Sequence, residues 1–175
     1  MKVEEKVIGT VEGEAVKAFT VSNSNGMEAT FLEWGCAIQE IRVPDREGKV
    51  ENVVLGYETL DEYVNDQAFL GVVVGRVAGR IQQAVLTIDG ESLKLPANDG
   101  NNTLHGGPEG FHRKVWNGQA EVGDKEVRVR LTYISEDGEE GFPGRLETEV
   151  VYTLNEQNEL AISYRAVSDK KTAVN

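Results

Sequence analysis

Both histidines of the chain lie in one stretch that is rich in glycine and asparagine. His105 and His112 fall within residues 98–112, which read NDGNNTLHGGPEGFH. Glycine lets a backbone approach a ligand closely, and Asn, Asp and His side chains suit hydroxyl groups such as those of a sugar, which both donate and accept hydrogen bonds. His105 is therefore a candidate binding residue, with a solvated histidine in an ordinary surface loop as the alternative. For His112 a structural role is favoured, because no second ligand lies near it.

A second glycine-rich stretch carries two arginines. Residues 71–81 read GVVVGRVAGRI, and a glycine precedes both Arg76 and Arg80. The spacing matches neither a phosphate-binding loop nor a dinucleotide-binding fingerprint. Arginine presents a fork of donors, so the pair predicts ligand contacts or, more commonly for either arginine alone, a structural salt bridge. Both glycine-rich stretches could face one cleft.

Residue content argues against several other kinds of site. One cysteine and two histidines, without HxxxH or CxxC spacing, disfavour an all-protein transition-metal site. Cys36 lies between apolar residues, which predicts a buried and unreactive thiol. Glu139 and Glu140 are expected in a solvated turn. The chain also lacks the Gly-x-Ser-x-Gly elbow of serine hydrolases.

Composition narrows the partners and the compartment. The 175 residues carry 18 basic and 30 acidic side chains, a formal net charge of −12. This balance disfavours binding to nucleic acid or to an anionic membrane surface. No apolar run is long enough to span a bilayer, and the first residues lack the apolar segment of a signal peptide. With a single cysteine no internal disulfide forms, so the expected location is the cytoplasm.

Alternating apolar and polar residues predict β-strands in most of the chain. The predicted strands are 18–21, 29–34, 38–43, 50–55, 85–88, 92–95, 127–133, 146–154 and 160–166. Asp89-Gly90, Gly123-Asp124 and residues 155–158 predict turns between strands. A capping-box pattern at 59–62 predicts one short helix. Ala173-Val174 is expected to enter a further strand.

These elements predict an all-β fold in a single domain over residues 1–175, a mostly antiparallel sandwich or barrel. Four motifs then occur in a characteristic order and spacing: GRVAGRI at 75–81, LHGGPEGF at 104–111, DGEEGFPG at 137–144 and LAISYR at 160–165. Together with NVVLGY at 52–57 and LDEY at 60–63, they resemble the aldose 1-epimerase, or galactose mutarotase, family.

The resemblance implies a large antiparallel β-sandwich, the galactose mutarotase-like supersandwich, of which residues 1–175 would be the N-terminal half. Members interconvert the α and β anomers of free aldohexoses such as galactose and glucose. A glutamate base removes the proton of the anomeric hydroxyl and a histidine acid protonates the ring oxygen, so that the ring opens and recloses. No metal and no organic cofactor is implied.

Three positions match the family's sugar-binding residues. Arg80 matches a sugar-binding arginine, and His105 matches a histidine that contacts the sugar beside the acid. Gly79 stands where the family usually has asparagine, which removes one amide contact. Arg76 matches a family Gly-Arg motif without an assigned catalytic role. The family's acid and base are both expected beyond Asn175, so no catalytic residue is expected within the chain.

Three interpretations therefore remain open. The first is the N-terminal half of an aldose 1-epimerase, inactive alone and poorly soluble because of unpaired strand edges. The second is a non-catalytic sugar-binding β-sandwich. The third is one half of a split enzyme whose C-terminal half is a separate chain.

Overall fold

The computed structural model describes residues 1–175 and consists almost entirely of antiparallel β-structure. The strands are β1 (Lys2–Val11), β2 (Glu14–Ser22), β3 (Glu28–Leu32), β4 (Ile38–Pro44), β5 (Val50–Asn52), β6 (Arg80–Ile81), β7 (Val85–Ile88), β8 (Glu91–Lys94), β9 (Thr103–Leu104), β10 (Asn117–Val122), β11 (Glu126–Ser135), β12 (Leu146–Asn155) and β13 (Leu160–Ser168). The first five strands form one sheet and the last four form a second, each in sequence order. Two short ladders, β6 with β9 and β7 with β8, separate them in the chain.

Most predicted strands and turns are confirmed. The β7–β8 hairpin turns at Asp89-Gly90, and β12 pairs with β13 across 155–159. The turn at Gly123-Asp124 joins β10 to β11. The strand predicted at 50–55 is shorter than expected: β5 ends at Asn52, and Val53 and Leu55 beyond it are 62% and 80% exposed. Beyond β5 the chain leaves the sheet, so these apolar residues have no facing layer.

The two sheets pack face to face around a single main core. Side chains of β2 and β3 on one side meet those of β11 and β12 on the other. Phe31 and Tyr152 stack across this interface with ring centroids 4.2 Å apart and planes 4° from parallel. Gly118 of β10 lies against Phe19, where an added Cβ would come within 2.4 Å of the ring. Burial of these aromatic surfaces, together with the aliphatic side chains of the core, stabilises the packing of the two sheets.

The single predicted helix is also confirmed. Helix α1 spans Leu60–Val64, and Thr59 and Glu62 form both hydrogen bonds of a capping box. Leu60 and Tyr63 pack on the outer face of the first sheet, against Val16 and other apolar side chains. The remaining helical turns are short 3-10 segments at 82–84, 111–113 and 139–141. No helix in the chain is both long and apolar enough to cross a membrane.

β13 is the uncovered edge of the second sheet. Its partner β12 buries Val150 and Tyr152 in the core, but the β13 residues paired with them, Tyr164 and Ile162, are 66% and 39% exposed. A cavity of about 530 Å³ lies beside this strand and is lined by Val150, Tyr164 and Val174 among others. The structure thus has the unpaired strand edge that the sequence predicts, with apolar side chains along it.

Ala173-Val174, which the sequence predicts to enter a further strand, follows the last regular strand of the structure, and that further strand stays a prediction. The Asn175 N–H donates to the Arg76 carbonyl at 3.1 Å, and the Asn175 carbonyl accepts from the Ala78 N–H at 3.1 Å. The last residues therefore lie along the 76–78 segment, held by two main-chain hydrogen bonds.

Candidate functional site

A two-residue ladder brings the two glycine-rich stretches together. β6 pairs with β9 so that Arg80 lies opposite Leu104 and Ile81 opposite Thr103. One step further, the His105 N–H donates to the Gly79 carbonyl at 2.9 Å. Gly79, Arg80 and His105, the three predicted site residues, are therefore neighbours in space. The two stretches therefore meet at these three residues, and a shared ligand cleft stays a prediction.

The backbone of Gly79 orients the imidazole of His105. The Gly79 N–H donates to His105 Nδ1 at 3.1 Å, so Nδ1 is an acceptor and a neutral ring carries its proton on Nε2. Nε2 makes no hydrogen bond within the chain and is free to donate to a ligand. Gly79 has φ of +80°, and no atom lies within 4 Å of the position that a Cβ would take. The space beside the imidazole is therefore open.

Burial and Arg80 lower the pKa of His105. The pKa falls below the ordinary value of 6.5, first because burial disfavours the charged ring and second because of the positive charge of Arg80. The ring is therefore neutral at pH 7. A neutral ring with Nδ1 occupied presents a single N–H donor to a ligand.

The Arg80 side chain is exposed, and its Nε is held in an ion pair. Its Nε donates to Asp99 Oδ2 at 2.6 Å, and its side chain is 61% exposed. This ion pair is the structural salt bridge that the sequence favours. The two terminal nitrogens of the guanidinium make no hydrogen bond within the chain, so they remain available as donors.

Arg76 has a structural role, but its partners are not carboxylates. It is 2% exposed, and its guanidinium donates to the Ser135 hydroxyl and to the carbonyls of Ser135, Glu136 and Pro143 at 2.9–3.0 Å. A longer bond reaches Thr172 Oγ1 at 3.4 Å. The prediction of a salt bridge is therefore wrong for Arg76. Arg76 therefore hydrogen-bonds to three separate segments of the chain, at residues 135–136, 143 and 172.

Two of the three asparagines of the 98–112 stretch, Asn98 and Asn102, build the loop, whereas Asn101 is exposed. The Asn98 side chain accepts from the Leu104 N–H at 2.7 Å and donates to the Leu104 carbonyl at 3.0 Å. The Asn102 side chain accepts from the Gln83 N–H at 3.1 Å. Two of the amide groups that the sequence offers for hydroxyl binding are thus used to close the loop that carries His105.

Two glycines after His105 are required by close packing. Gly106 has φ of +88°, and a Cβ there would lie 1.7 Å from the Gly75 carbonyl oxygen. Gly107 has φ of +104°, and its Cβ would lie 2.1 Å from Glu140 Oε2. Only glycine fits either position. The Leu-His-Gly-Gly sequence is therefore a tight turn that sets His105 against the 75–79 segment.

The expectation of a solvated Glu139-Glu140 turn is wrong. Glu139 accepts a hydrogen bond from the Tyr133 hydroxyl at 2.8 Å and pairs with Lys114 at 3.8 Å. Glu140 is partly buried under Gly107, and burial raises the pKa of its carboxyl. Both glutamates pack beneath the turn that carries His105, because the loops around 107 and 140 fold against each other.

Sequence reasoning missed Phe69, whose ring contacts both histidines. Its ring centroid is 4.8 Å from that of His105 and 4.7 Å from that of His112. No periodicity or motif marks Phe69 in the sequence, since it sits in a loop whose conformation alone brings it to the site. Cys36, by contrast, is fully buried as predicted, and burial raises the pKa of its thiol to about 12.

The pKa of His112 gives a test of its burial. The pKa of His112 is lowered to about 4, first because the ring is buried and second because of the positive charge of Arg113. An unfolded histidine titrates near 6.5. Between pH 4 and pH 6.5 the unfolded chain binds more protons at His112 than the folded chain does. The contribution of neutral His112 to stability is therefore fully present above pH 6.5 and is lost as the pH drops towards 4.

We therefore expect His112→Asn to lose less stability than the wild type between pH 7 and pH 5, measured by urea unfolding at both values. His105 changes the free energy of unfolding with pH in the same direction. Because both proteins retain His105, the difference between their pH dependences reports His112. An identical pH dependence in the two proteins would show that His112 does not titrate differently on unfolding.

Solved structures with the same architecture define the class of this protein. A galactose 1-epimerase from Lactobacillus acidophilus matches 99% of this chain and 50% of its own with a TM-score of 0.89 and 31% identity. An aldose epimerase homologue from C. elegans matches 89% of this chain and 47% of its own with a TM-score of 0.81 and 33% identity. The fold is thus the galactose mutarotase-like β-sandwich.

Sequence comparisons give the family. Residues 17–175 match the family model described as aldose 1-epimerase. Galactose mutarotase of Rattus norvegicus is 41% identical over 163 residues, 93% of this chain and 46% of its own. Aldose 1-epimerase of Escherichia coli K12 is 38% identical over 164 residues, 94% of this chain and 46% of its own. The chain belongs to the aldose 1-epimerase family, and it spans about half the length of these relatives.

Proposed function

We propose that this chain carries the sugar-contacting part of an aldose 1-epimerase that acts on free aldohexoses such as galactose and glucose. The observation that carries the proposal is the β6–β9 ladder, which brings Arg80 and His105 together, Arg80 with two free guanidinium nitrogens and His105 with a free Nε2. Both groups are hydrogen-bond donors, and sugar hydroxyl and ring oxygens are acceptors. Gly79 supplies open space beside them.

The proposed reaction is acid–base ring opening and reclosure of the sugar. A base takes the anomeric hydroxyl proton while an acid protonates the ring oxygen, which breaks the bond between that oxygen and C1. Rotation about C1–C2 and reclosure give the other anomer. In this proposal His105 and Arg80 bind and orient the sugar. The acid and base come from polypeptide that follows Asn175 in the longer members of the family.

Calorimetric titration with galactose tests the binding part. We expect the wild-type chain to bind weakly and His105→Ala to lose at least tenfold in affinity, since the variant removes the free Nε2–H donor. Glu51→Ala is the matched control and should bind like the wild type, because Glu51 makes an exposed ion pair with Lys49 in the first sheet, away from His105. Equal binding by wild type and His105→Ala would contradict the assigned role of His105.

Polarimetry of freshly dissolved α-D-glucose tests the catalytic part. We expect the purified chain to relax the optical rotation at the buffer rate, because the proposed acid and base are not among its residues. Relaxation clearly faster than buffer would contradict this. Binding without turnover is also the behaviour of a non-catalytic sugar-binding sandwich, so a second experiment is needed to separate the two.

The uncovered β13 edge favours completion by a further half over a self-sufficient binding module. Tyr164 and Ile162 lie on the core-facing side of the sheet yet remain exposed, beside the cavity of about 530 Å³. In a self-sufficient sandwich this face would be covered. Sequencing the DNA downstream of codon 175 separates the cases. In the family, the histidine acid lies in a Leu-Thr-Asn-His segment. An in-frame continuation through such a segment supports a longer enzyme, and a stop codon with a complementary gene elsewhere supports a split enzyme.

A further inference from the structure

Phe69 packs against histidines instead of joining the hydrophobic core. The three core clusters and the apolar side chains packed on them do not include it. Its ring meets the His105 ring at 62° and the His112 ring at 56°, with both centroids within 5 Å. Such tilted arrangements are the favoured geometry of aromatic pairs. The Phe69 ring therefore packs on both imidazoles.

The loop that presents Phe69 is tightly held and locally strained. The Asp66 carboxylate accepts from the Ala68 N–H at 2.7 Å, the Leu70 N–H at 3.0 Å and the Tyr57 hydroxyl at 2.8 Å. Phe69 itself has φ of +57°, a region that a bulky residue rarely adopts. Strain of this kind persists only where the surroundings impose it, and it clusters at functional sites.

His105 shares this feature, with φ of +51°. Its imidazole is fixed by two contacts, the Gly79 N–H at Nδ1 and the Phe69 ring at one face. The hydrogen bond to Nδ1 sets which nitrogen faces Gly79. The Phe69 ring packs against the imidazole and limits the side-chain rotation that would break this hydrogen bond. The ring of His112 packs on Phe69 as well.

We propose that Phe69 is a positioning residue, which holds the His105 imidazole in the one orientation that presents Nε2–H to a sugar. This inference rests on the proposed function for its ligand, but the geometry that carries it is independent of turnover. It assigns to a loop residue a part in preorganising the site, so that less freedom is lost when a ligand binds.

Phe69→Gly is the sharpest variant, because it removes the ring and also relieves the strained backbone, so the fold is preserved. Phe69→Tyr keeps the ring and is the conservative rescue. Tyr164→Ala is the matched control, since it removes an exposed aromatic ring from β13 in the second sheet. Each variant is compared with the wild-type chain by NMR of the histidine ring nitrogens and by galactose titration.

In the wild type we expect His105 to be in the Nε2–H form at pH 7. Phe69→Gly should populate both neutral forms, raise the His105 pKa towards 6.5 as water reaches the ring, and weaken galactose binding about tenfold. Phe69→Tyr and Tyr164→Ala should match the wild type in all three measurements. An unchanged ring form and pKa in Phe69→Gly would overturn the proposal.

The two failures are distinguishable. If the wild type shows no galactose binding, the proposed function fails, and the NMR signature of His105 still decides the role of Phe69. If the wild type binds galactose and Phe69→Gly binds equally well with an unaltered His105 ring, the positioning role fails and the proposed function stands. A merely structural role for Phe69 would lower stability without changing the His105 ring form in the folded protein.

Discussion

Replacing Arg76 by alanine is expected to destabilise the chain by about 3–5 kcal/mol, enough to unfold much of a protein of ordinary stability. The side chain is 2% exposed and donates to three carbonyls and two hydroxyls. Truncation leaves these buried and partly buried acceptors without their donor and opens a cavity where the side chain was. Urea unfolding followed by tryptophan fluorescence measures the change.

Arg80 provides the matched control four residues along the same motif. It is exposed and makes one surface ion pair with Asp99. Exposed ion pairs contribute about 0–1 kcal/mol, so Arg80→Ala should leave stability almost unchanged. The two arginines look alike in sequence and should differ by several kcal/mol in effect. A loss below about 1 kcal/mol for Arg76→Ala would contradict the structural role given to its hydrogen bonds.

Replacing Glu33 by alanine should have the second largest effect, a loss of about 2–4 kcal/mol. Its carboxylate is buried and accepts from the Lys17 N–H at 2.8 Å in one sheet and from the Gly118 N–H at 3.0 Å in the other. Its own main chain also accepts from the Trp116 N–H at 2.7 Å. The residue links β2 to β10, so its removal leaves two donors unsatisfied between the sheets.

Glu33→Gln refines this prediction. The amide oxygen can serve one of the two N–H donors, but the amide NH₂ then opposes the other donor. We expect a loss smaller than that of Glu33→Ala but still clear in urea unfolding. Glu51→Ala, at an exposed ion pair with Lys49, is the control and should change stability by less than about 1 kcal/mol. If Glu33→Ala behaves like this control, the two hydrogen bonds carry little net stability.

Strands could be predicted from the sequence where one face of the strand is buried and the other is exposed. β11 and β12 alternate cleanly because only their inner faces meet the other sheet. β1 escaped prediction because charged residues fill much of its length and it buries little. The ladder of β6 with β9 has only two residues in each strand, too few for any periodic signal.

The residues of the site could be predicted from the sequence, but their arrangement in space could not. Residue types and family motifs indicate Arg80 and His105, but their proximity depends on the tight turn at Gly106 and on the Asn98 side chain. Phe69 could not be found, since its contacts come from segments about 36 and 43 residues away. Glu139 was misread for the same reason, because its partner Lys114 lies in a distant loop.

The sequential strand order has a consequence for how the chain reaches this structure. In both sheets each strand pairs with its immediate neighbour in sequence. The loops closed by these pairings are short, so their entropic cost is small. The chain between the sheets runs from Val53 to Trp116, and closing it costs more. Joining two locally formed meanders through Phe31, Tyr152 and Glu33 is therefore the entropically demanding event in folding.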